Sequence, residues 1–294
     1  MDADAITRVR DFNRTVTQRI GALDDRYLAR DRPLGEARLL WEIGEDGCDV
    51  RALRARLELD SGYTSRLLRS LESGGLVTVG PGPGDRRVRT ARLTAAGRAE
   101  RGLLDRRSDE LAASLLEPLN AGQRERLVTA MGEVQRLLTA AMVQIAPADP
   151  DDVHARHCLR EYSAELDRRF EHGYDPSNGI PLDAAGMRPP RGVLLVATLR
   201  SEPVGCGALK FHDGEPTELK RLWVAPSARG LGVGRRLLAE LEARAAEHGD
   251  VVRLDTNRAL TEAIALYRTS GYTEIAPFND DVYPDHWFEK RLRP

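Results

Sequence analysis

At 294 residues the chain is long enough for about two domains, each burying its own core. Its 41% hydrophobic and 31% charged content is ordinary for a globular protein, and no apolar run approaches the roughly 20 residues that a membrane span needs. Net charge is only −2, yet from Arg51 to Arg107 thirteen arginines stand against six acids, the local balance of a phosphate-binding surface.

Met1 to Asp11 is acidic and polar rather than basic and then apolar, so no secretory leader is expected and the expected compartment is the cytoplasm, with no membrane partner. Cys48, Cys158 and Cys206 lie far apart without a CxxC spacing, which argues against both a disulfide framework and a metal site. All three are expected to be small buried hydrophobes.

In chain order, apolar residues from Ile6 to Leu28 recur at three-to-four spacing and predict a first helix. Leu34 to Ile43 predicts a second, broken at Gly44 to Cys48, and Val50 to Leu57 a short third. Asp60 or Ser61 caps a further helix that runs to Gly74-Gly75. Leu76 to Val79 and Arg87 to Leu93 then form a β-hairpin around the tip Gly80-Pro81-Gly82-Pro83-Gly84-Asp85. Helices over Ala95 to Leu116 and Ala121 to Ile145 follow, and Ala146-Pro147-Ala148-Asp149-Pro150 reads as a linker.

Beyond it the pattern is mixed α/β. Helices are expected over Val153 to His172, Gly232 to His248 and Thr261 to Ser270. Strands are expected over Gly192 to Leu199, Pro203 to Phe211, Glu218 to Val224, Val251 to Thr256 and near His286 to Leu292.

The densest motif runs from Glu218-Leu219-Lys220-Arg221-Leu222-Trp223-Val224 through Arg229-Gly230-Leu231-Gly232-Val233-Gly234, a strand, tight loop and helix. The unpartnered first amides of such a helix suit a pyrophosphate, and glycines allow close approach. Alone, that loop fits a dinucleotide or a plain turn equally well. Leu254-Asp255-Thr256-Asn257 and Ala263-Ile264-Ala265-Leu266-Tyr267 through Gly271-Tyr272 follow it in order. Together these resemble motifs A and B of the GNAT superfamily of N-acetyltransferases, over about Pro147 to Pro294.

That resemblance implies an α/β (α+β) acyltransferase fold with a mixed central sheet, acetyl-CoA as co-substrate, and direct attack by the amine of a small molecule with no acyl-enzyme. It places Leu222, Trp223, Val224, Arg229, Gly230, Leu231, Gly232, Val233, Gly234, Arg235, Asn257, Ala263 and Tyr267 against the cofactor. The Val224 N–H would polarise the thioester carbonyl. Tyr267 would protonate the departing thiolate, or else is a packed core tyrosine. Glu218, six residues before Val224 and so on its face by the two-residue period, is a general base or a surface residue paired with Lys220 or Lys210. Phe170 to Pro190 and Phe278 to Trp287 would line the acceptor, with Asp175, Asp280, Asp281 and Tyr283 as candidates for holding a cationic amine.

Ser61 to Val77, Asp85-Arg86-Arg87 and Leu93-Thr94-Ala95-Ala96-Gly97 resemble the MarR family of winged helix-turn-helix regulators over about Ile6 to Ile145. The resemblance implies a mainly α domain binding double-stranded DNA, with Ser61, Tyr63, Thr64, Ser65, Arg66 and Arg69 on the recognition helix and Asp85, Arg86 and Arg87 at the wing. It also implies a homodimer formed through the terminal helices, whose apolar stripes exceed the needs of a small core. The expected organisation is residues 1–146 as the DNA-binding and dimerisation domain and 147–294 as the acetyltransferase. The alternative is a transcriptional regulator whose second domain senses acetyl-CoA or a metabolite without turnover.

Overall fold

A computed structural model describes residues 2–24, 26–82, 88–180 and 182–292. The chain divides into two compact units, Met1–Ala130 and Met131–Pro294.

In the first unit α1 (Ala3–Arg19) is capped by the Asp2 carboxylate and buries none of its residues. It ends nine residues before the predicted Leu28, because Gly21 takes the left-handed conformation at φ 65° and the chain turns. The core begins with α2 (Leu34–Ile43), which buries Ala37, Leu39, Leu40 and Ile43. β1 (Cys48–Asp49), α3 (Val50–Leu57) and α4 (Ser61–Ser73) follow, each helix capped by an aspartate, Asp49 and Asp60. β2 (Val77–Pro81) and β3 (Arg89–Leu93) pair antiparallel from Val77↔Leu93 to Pro81↔Arg89, and β1 adds to the far side of β3. The wing tip with Asp85, Arg86 and Arg87 lies outside the described residues.

α5 (Ala95–Leu116) starts on Thr94, whose hydroxyl accepts from the Gly97 N–H at 3.0 Å. Its Glu100 is buried and takes two hydrogen bonds from Arg30, at 2.9 Å each, and an ion pair from Arg32. The Arg30 hydrogen bonds hold that carboxyl below the usual carboxylate range. Gly97 packs so tightly on the preceding hairpin that a Cβ there would stand 2.0 Å from the Leu76 carbonyl oxygen. Gly97→Ala is therefore expected to destabilise the first unit by about 1–3 kcal/mol, the usual cost of forced overpacking, despite alanine's better helix propensity. Urea titration of the isolated variant against wild type checks this, and an unchanged midpoint refutes it.

α6 (Ala121–Ala141) also buries no residue, and it stops four residues before the predicted Ile145. The reason is β4 (Gln144–Pro147), which pairs antiparallel with β5 from Gln144↔Thr198 to Pro147↔Leu195. The expected linker at 146–150 is thus partly sheet, and the expected joint between residues 146 and 147 falls inside a strand.

The second unit continues with α7 (Val153–Arg169), β5 (Gly192–Leu199), β6 (Glu202–Lys210), β7 (Thr217–Val224), α8 (Val233–Ala245), β8 (Val251–Thr256), α9 (Thr261–Thr269), β9 (Thr273–Ile275) and β10 (His286–Arg291). The sheet order is β4-β5-β6-β7-β8-β10-β9, antiparallel except for the parallel pair β7 and β8. It is therefore mixed, as expected. Alternation along the strands loads both faces: Leu195, Ala197 and Leu209 join the core with α8, while Leu194, Val196 and Ala208 join the core with α7. Cys158 and Cys206 are free thiols buried in the α7 core, whereas Cys48 is only half-buried. Among the described residues no helix is long and apolar enough to cross a membrane, and no cluster of His, Cys, Asp and Glu could hold a metal ion.

Candidate active site

β7 and β8 pair only at Thr217↔Val252 and Glu218↔Arg253 and then part, which opens the middle of the sheet along the rest of β7. Ala225 donates to the Val204 carbonyl on β6 at 2.9 Å. By strand alternation the Val224 N–H points to the other edge, into the gap.

On one side of the gap a cleft of about 510 Å³ is lined by the loop and helix start that follow β7, including Leu222, Trp223, Val224, Arg229, Gly230, Gly232, Val233, Gly234, Arg235 and Ala263. Gly232 caps α8 in the left-handed conformation, φ 75°, with no side-chain hydrogen bond capping the helix. Its residue type is required by that backbone, and the first amides of α8 are left for an anion. This arrangement fits the pyrophosphate of a CoA, and the apolar lining fits its pantetheine arm. Leu231 packs instead against the α8 core.

Arg229 lines the cleft and is paired within the fold. Its Nη2 contacts both Glu165 oxygens, at 2.7 and 2.6 Å, and its Nε donates to the Val224 carbonyl at 3.2 Å. Glu165 also receives Trp223 Nε1 at 2.9 Å and Arg169 at 3.2 Å. Burial would raise the Glu165 pKa, but the Arg229 and Trp223 hydrogen bonds outweigh it and hold the carboxyl below the usual carboxylate range. Arg229 thus straps the end of β7 to α7.

On the other side of the gap a smaller chamber, about 100 Å³, is lined by Lys220, Arg221, Asp255, Thr256, Asn257, Tyr267, Asp281 and Tyr283 among others. Tyr162, Leu166, Leu222, Leu260 and Ala263 line both spaces, so the two meet at the gap. Tyr267 is buried, and its hydroxyl has no hydrogen-bond partner among the described residues. Burial, and then the Asp255 charge, push its pKa up, so the phenol stays protonated.

The placing of Glu218 needs correction here. Glu218 and Val224 lie on opposite faces, because a bulge inserts a residue into β7: Ala208 opposes Lys220 while Cys206 opposes Trp223, and Arg221 has φ 61°. The Glu218 carboxylate instead faces His212, Lys220 and Arg253 at 3.3, 3.4 and 3.7 Å, and lines neither space. Asn257 spends its side chain on the fold, donating to the Tyr283 carbonyl at 2.6 Å and accepting from the Ala259 N–H at 2.9 Å. One Nδ2 N–H and one Oδ1 lone pair are left over, and the residue lines the chamber.

Of the acidic residues suggested for the amine, Asp281 reaches the chamber, while Asp175 is held by Ser177 and Asp280 is exposed. On α4, Ser61, Tyr63, Arg66 and Arg69 are exposed and Ser65 is half-buried. Thr64 is buried with its hydroxyl on the Asp60 carbonyl at 2.8 Å, which removes it from any base-reading surface. Arg66 stacks on the Tyr63 ring at 5.5 Å.

Residues 156–272 match the Acetyltransferase (GNAT) family, and residues 31–88 match the MarR family. An IAA acetyltransferase of Azospirillum brasilense is 37% identical over 116 residues, 39% of this chain and 76% of that one. An uncharacterized N-acetyltransferase of Schizosaccharomyces pombe is 32% identical over 146 residues, 47% of this chain and 85% of that one. The chain belongs to the GNAT acetyltransferase family. Its first unit carries a MarR-family segment. A solved GNAT-family acetyltransferase from Staphylococcus aureus is 19% identical and covers 51% of this chain and 99% of its own, with a TM-score of 0.44.

The GNAT domain is thus that of an N-acetyltransferase, with an acyl-CoA as co-substrate. Around it the structure gathers residues that sequence spacing does not single out. Glu165 and Tyr162 come from α7, more than fifty positions before β7, and only their i, i+3 spacing on one helix face hints that they act together. The Lys220–Asp255 pair, 2.6 Å, joins the two strands across the gap.

Proposed function

We propose that this GNAT enzyme transfers the acetyl group of acetyl-CoA to the amine of a small molecule by direct attack, and that its MarR-family unit binds double-stranded DNA as a homodimer. The observation that carries the first part is the parting of β7 and β8, with a donor-sized cleft and a small chamber meeting across it. Two substrates entering from opposite sides need no covalent enzyme intermediate.

The donor supplies an activated acyl carbonyl. Gly232, Val233, Gly234 and Arg235 bind its pyrophosphate through the open helix end, and Val224 donates its N–H to the carbonyl oxygen as charge develops there. Ala263 and Leu222 wall the thioester end. Tyr267 gives its phenolic proton to the sulfur, and the attacking nitrogen loses its proton to water in the chamber. The small chamber favours a small acceptor over a protein lysine. Release of CoA thiol across a panel of amines tests the reading. Tight acetyl-CoA binding with no turnover on any acceptor would replace it with the sensor reading.

The DNA-binding reading is supported by Arg66 and Arg69, exposed on one helix of a winged fold, and extends to Arg86 and Arg87. Replacing Arg66 and Arg69 by alanine is expected to reduce the slope of log affinity against log salt by about 2, one phosphate contact each. An unchanged slope takes α4 off the DNA. The homodimer reading is supported by exposed apolar residues on the terminal helices: Ile6, Val9 and Phe12 on α1, and Val128, Met131, Leu137 and Leu138 on α6.

A further inference from the structure

Among the described residues, one cation that lines the acceptor chamber has no counterion. Arg221 sits on the β7 bulge in a left-handed conformation, φ 61°, which a residue with a Cβ adopts at a cost of about 1 kcal/mol or more. Its guanidinium lies 5.5 Å from the centre of the Tyr162 ring on α7 and reaches the chamber wall. The hydrogen bonds it makes are long: 3.4 Å to the Tyr174 hydroxyl and 3.5 Å to the Leu182 carbonyl. A guanidinium has five N–H donors, so most of the fork is unspent.

Its neighbours differ. Lys220, Arg169, Arg229 and Arg253 each have a carboxylate within 4.0 Å, and among the described residues Arg221 has none. Asp255 is instead paired with Lys220, and Asn279 donates to the same oxygen, Oδ2, at 2.6 and 2.7 Å. Asp281 is tied by the backbone N–H groups of Ile180 and Tyr283, at 3.1 and 3.3 Å, with no cation on it. Among the described residues the chamber therefore presents one unpaired positive and one unpaired negative side chain, partly desolvated by aromatic walls. Partly buried charges of this kind are stabilised by an opposite partner, and a guanidinium fork matches a carboxylate.

We infer that the acceptor is an amino acid, an amine carrying a carboxylate, and that Arg221 binds that carboxylate while Asp281 draws in the ammonium. The inference rests on the acetyl-transfer reading above. A phosphate-bearing acceptor fits worse: a dianion would meet a single free arginine, with Asp255 and Asp281 beside it. Arg221 precedes Val224 by three residues, about 10 Å of strand, so a carboxylate on Arg221 leaves the amine a few bonds away free to reach the gap. The packed rings of Phe170, Tyr174 and Tyr283, with centroids 4.9–5.9 Å apart, offer an apolar wall to the side chain.

The test compares matched acceptors at saturating acetyl-CoA: phenylalanine against 2-phenylethylamine, tyrosine against tyramine, and alanine against ethylamine. Wild type is expected to show a kcat/KM about 10- to 100-fold higher on the amino acid, the range of one charge-assisted pair. In Arg221→Gln the ratio should fall towards 1 through a higher KM for the amino acid, with Arg221→Lys between. Equal or better turnover of the decarboxylated amines by wild type overturns the inference and leaves acetyl transfer standing. A ratio unchanged in Arg221→Gln overturns the role of Arg221. No CoA release from any amine or amino acid sinks the acetyl-transfer reading itself and this inference with it. The wild-type comparison stands even where a variant fails to fold.

Discussion

Replacing Tyr267 by phenylalanine is expected to lower kcat by about 10²-fold while leaving acetyl-CoA affinity nearly unchanged. The substitution removes one oxygen. The ring keeps its packing against Tyr272 and Phe288, 5.7 and 6.0 Å between centroids, so the fold has little reason to respond. Among the described residues the hydroxyl has no hydrogen-bond partner to lose. Its raised pKa cuts both ways. It keeps the proton in place across the working range, but it makes the phenol a weaker acid, so the effect belongs at the low end of general-acid contributions. A second consequence follows from the direction of the shift. Because the phenol titrates above its ordinary value of about 10, Tyr267 should impose no alkaline fall in kcat below about pH 10. Pre-steady-state and steady-state CoA release for both proteins over pH 6 to 10 checks both points. Equal kcat in the two proteins removes the general-acid role, and a wild-type limb near pH 8 that is absent from Tyr267→Phe contradicts the pKa argument.

The parts of the site that were legible in the sequence are those where backbone conformation restricts the residue type. Gly232 is needed at a positive φ, and the glycine loop followed by an amphipathic helix therefore marks the donor cleft without any structure. The order of elements in both units was legible for the same reason, through period-two and three-to-four apolar spacing. What failed was whatever depended on a register shift or on a distant partner. Glu218 is assigned to the face of Val224 by strict alternation, and the bulge at Arg221, which carries no glycine to betray it, reverses that face. The partner of Arg229 is not visible in the sequence, because Glu165 lies 64 positions away. Thr64 alternates with exposed neighbours on a polar helix, yet the turn of α4 buries it. The strand Gln144–Pro147 is hidden by its proline, which an edge strand tolerates.

Glu165→Gln should destabilise the GNAT domain by about 2–3 kcal/mol and raise the KM for acetyl-CoA. Removing one partner of a buried ion pair usually costs about 3–5 kcal/mol, since it strands the other charge. The Arg229 side chain is 42% exposed and can regain water, which places the cost below that range. Glutamine keeps an acceptor for Trp223 Nε1, so the loss reports the charge rather than the packing. The sign with pH follows from the lowered pKa of Glu165. A carboxylate whose folded pKa is depressed stabilises above its unfolded value, about 4.3, and that stability is lost as pH falls through the folded value. The difference between the two proteins in denaturant titration should therefore be full at pH 7 and vanish in acid. The KM effect follows because Arg229 fixes both the Val224 carbonyl and the start of the glycine loop. The opposite result is informative in the same experiment. A lower KM at unchanged stability would mean that Glu165 restrains a cation which the pyrophosphate otherwise attracts, and Arg229 would then be a ligand held in check rather than a strap.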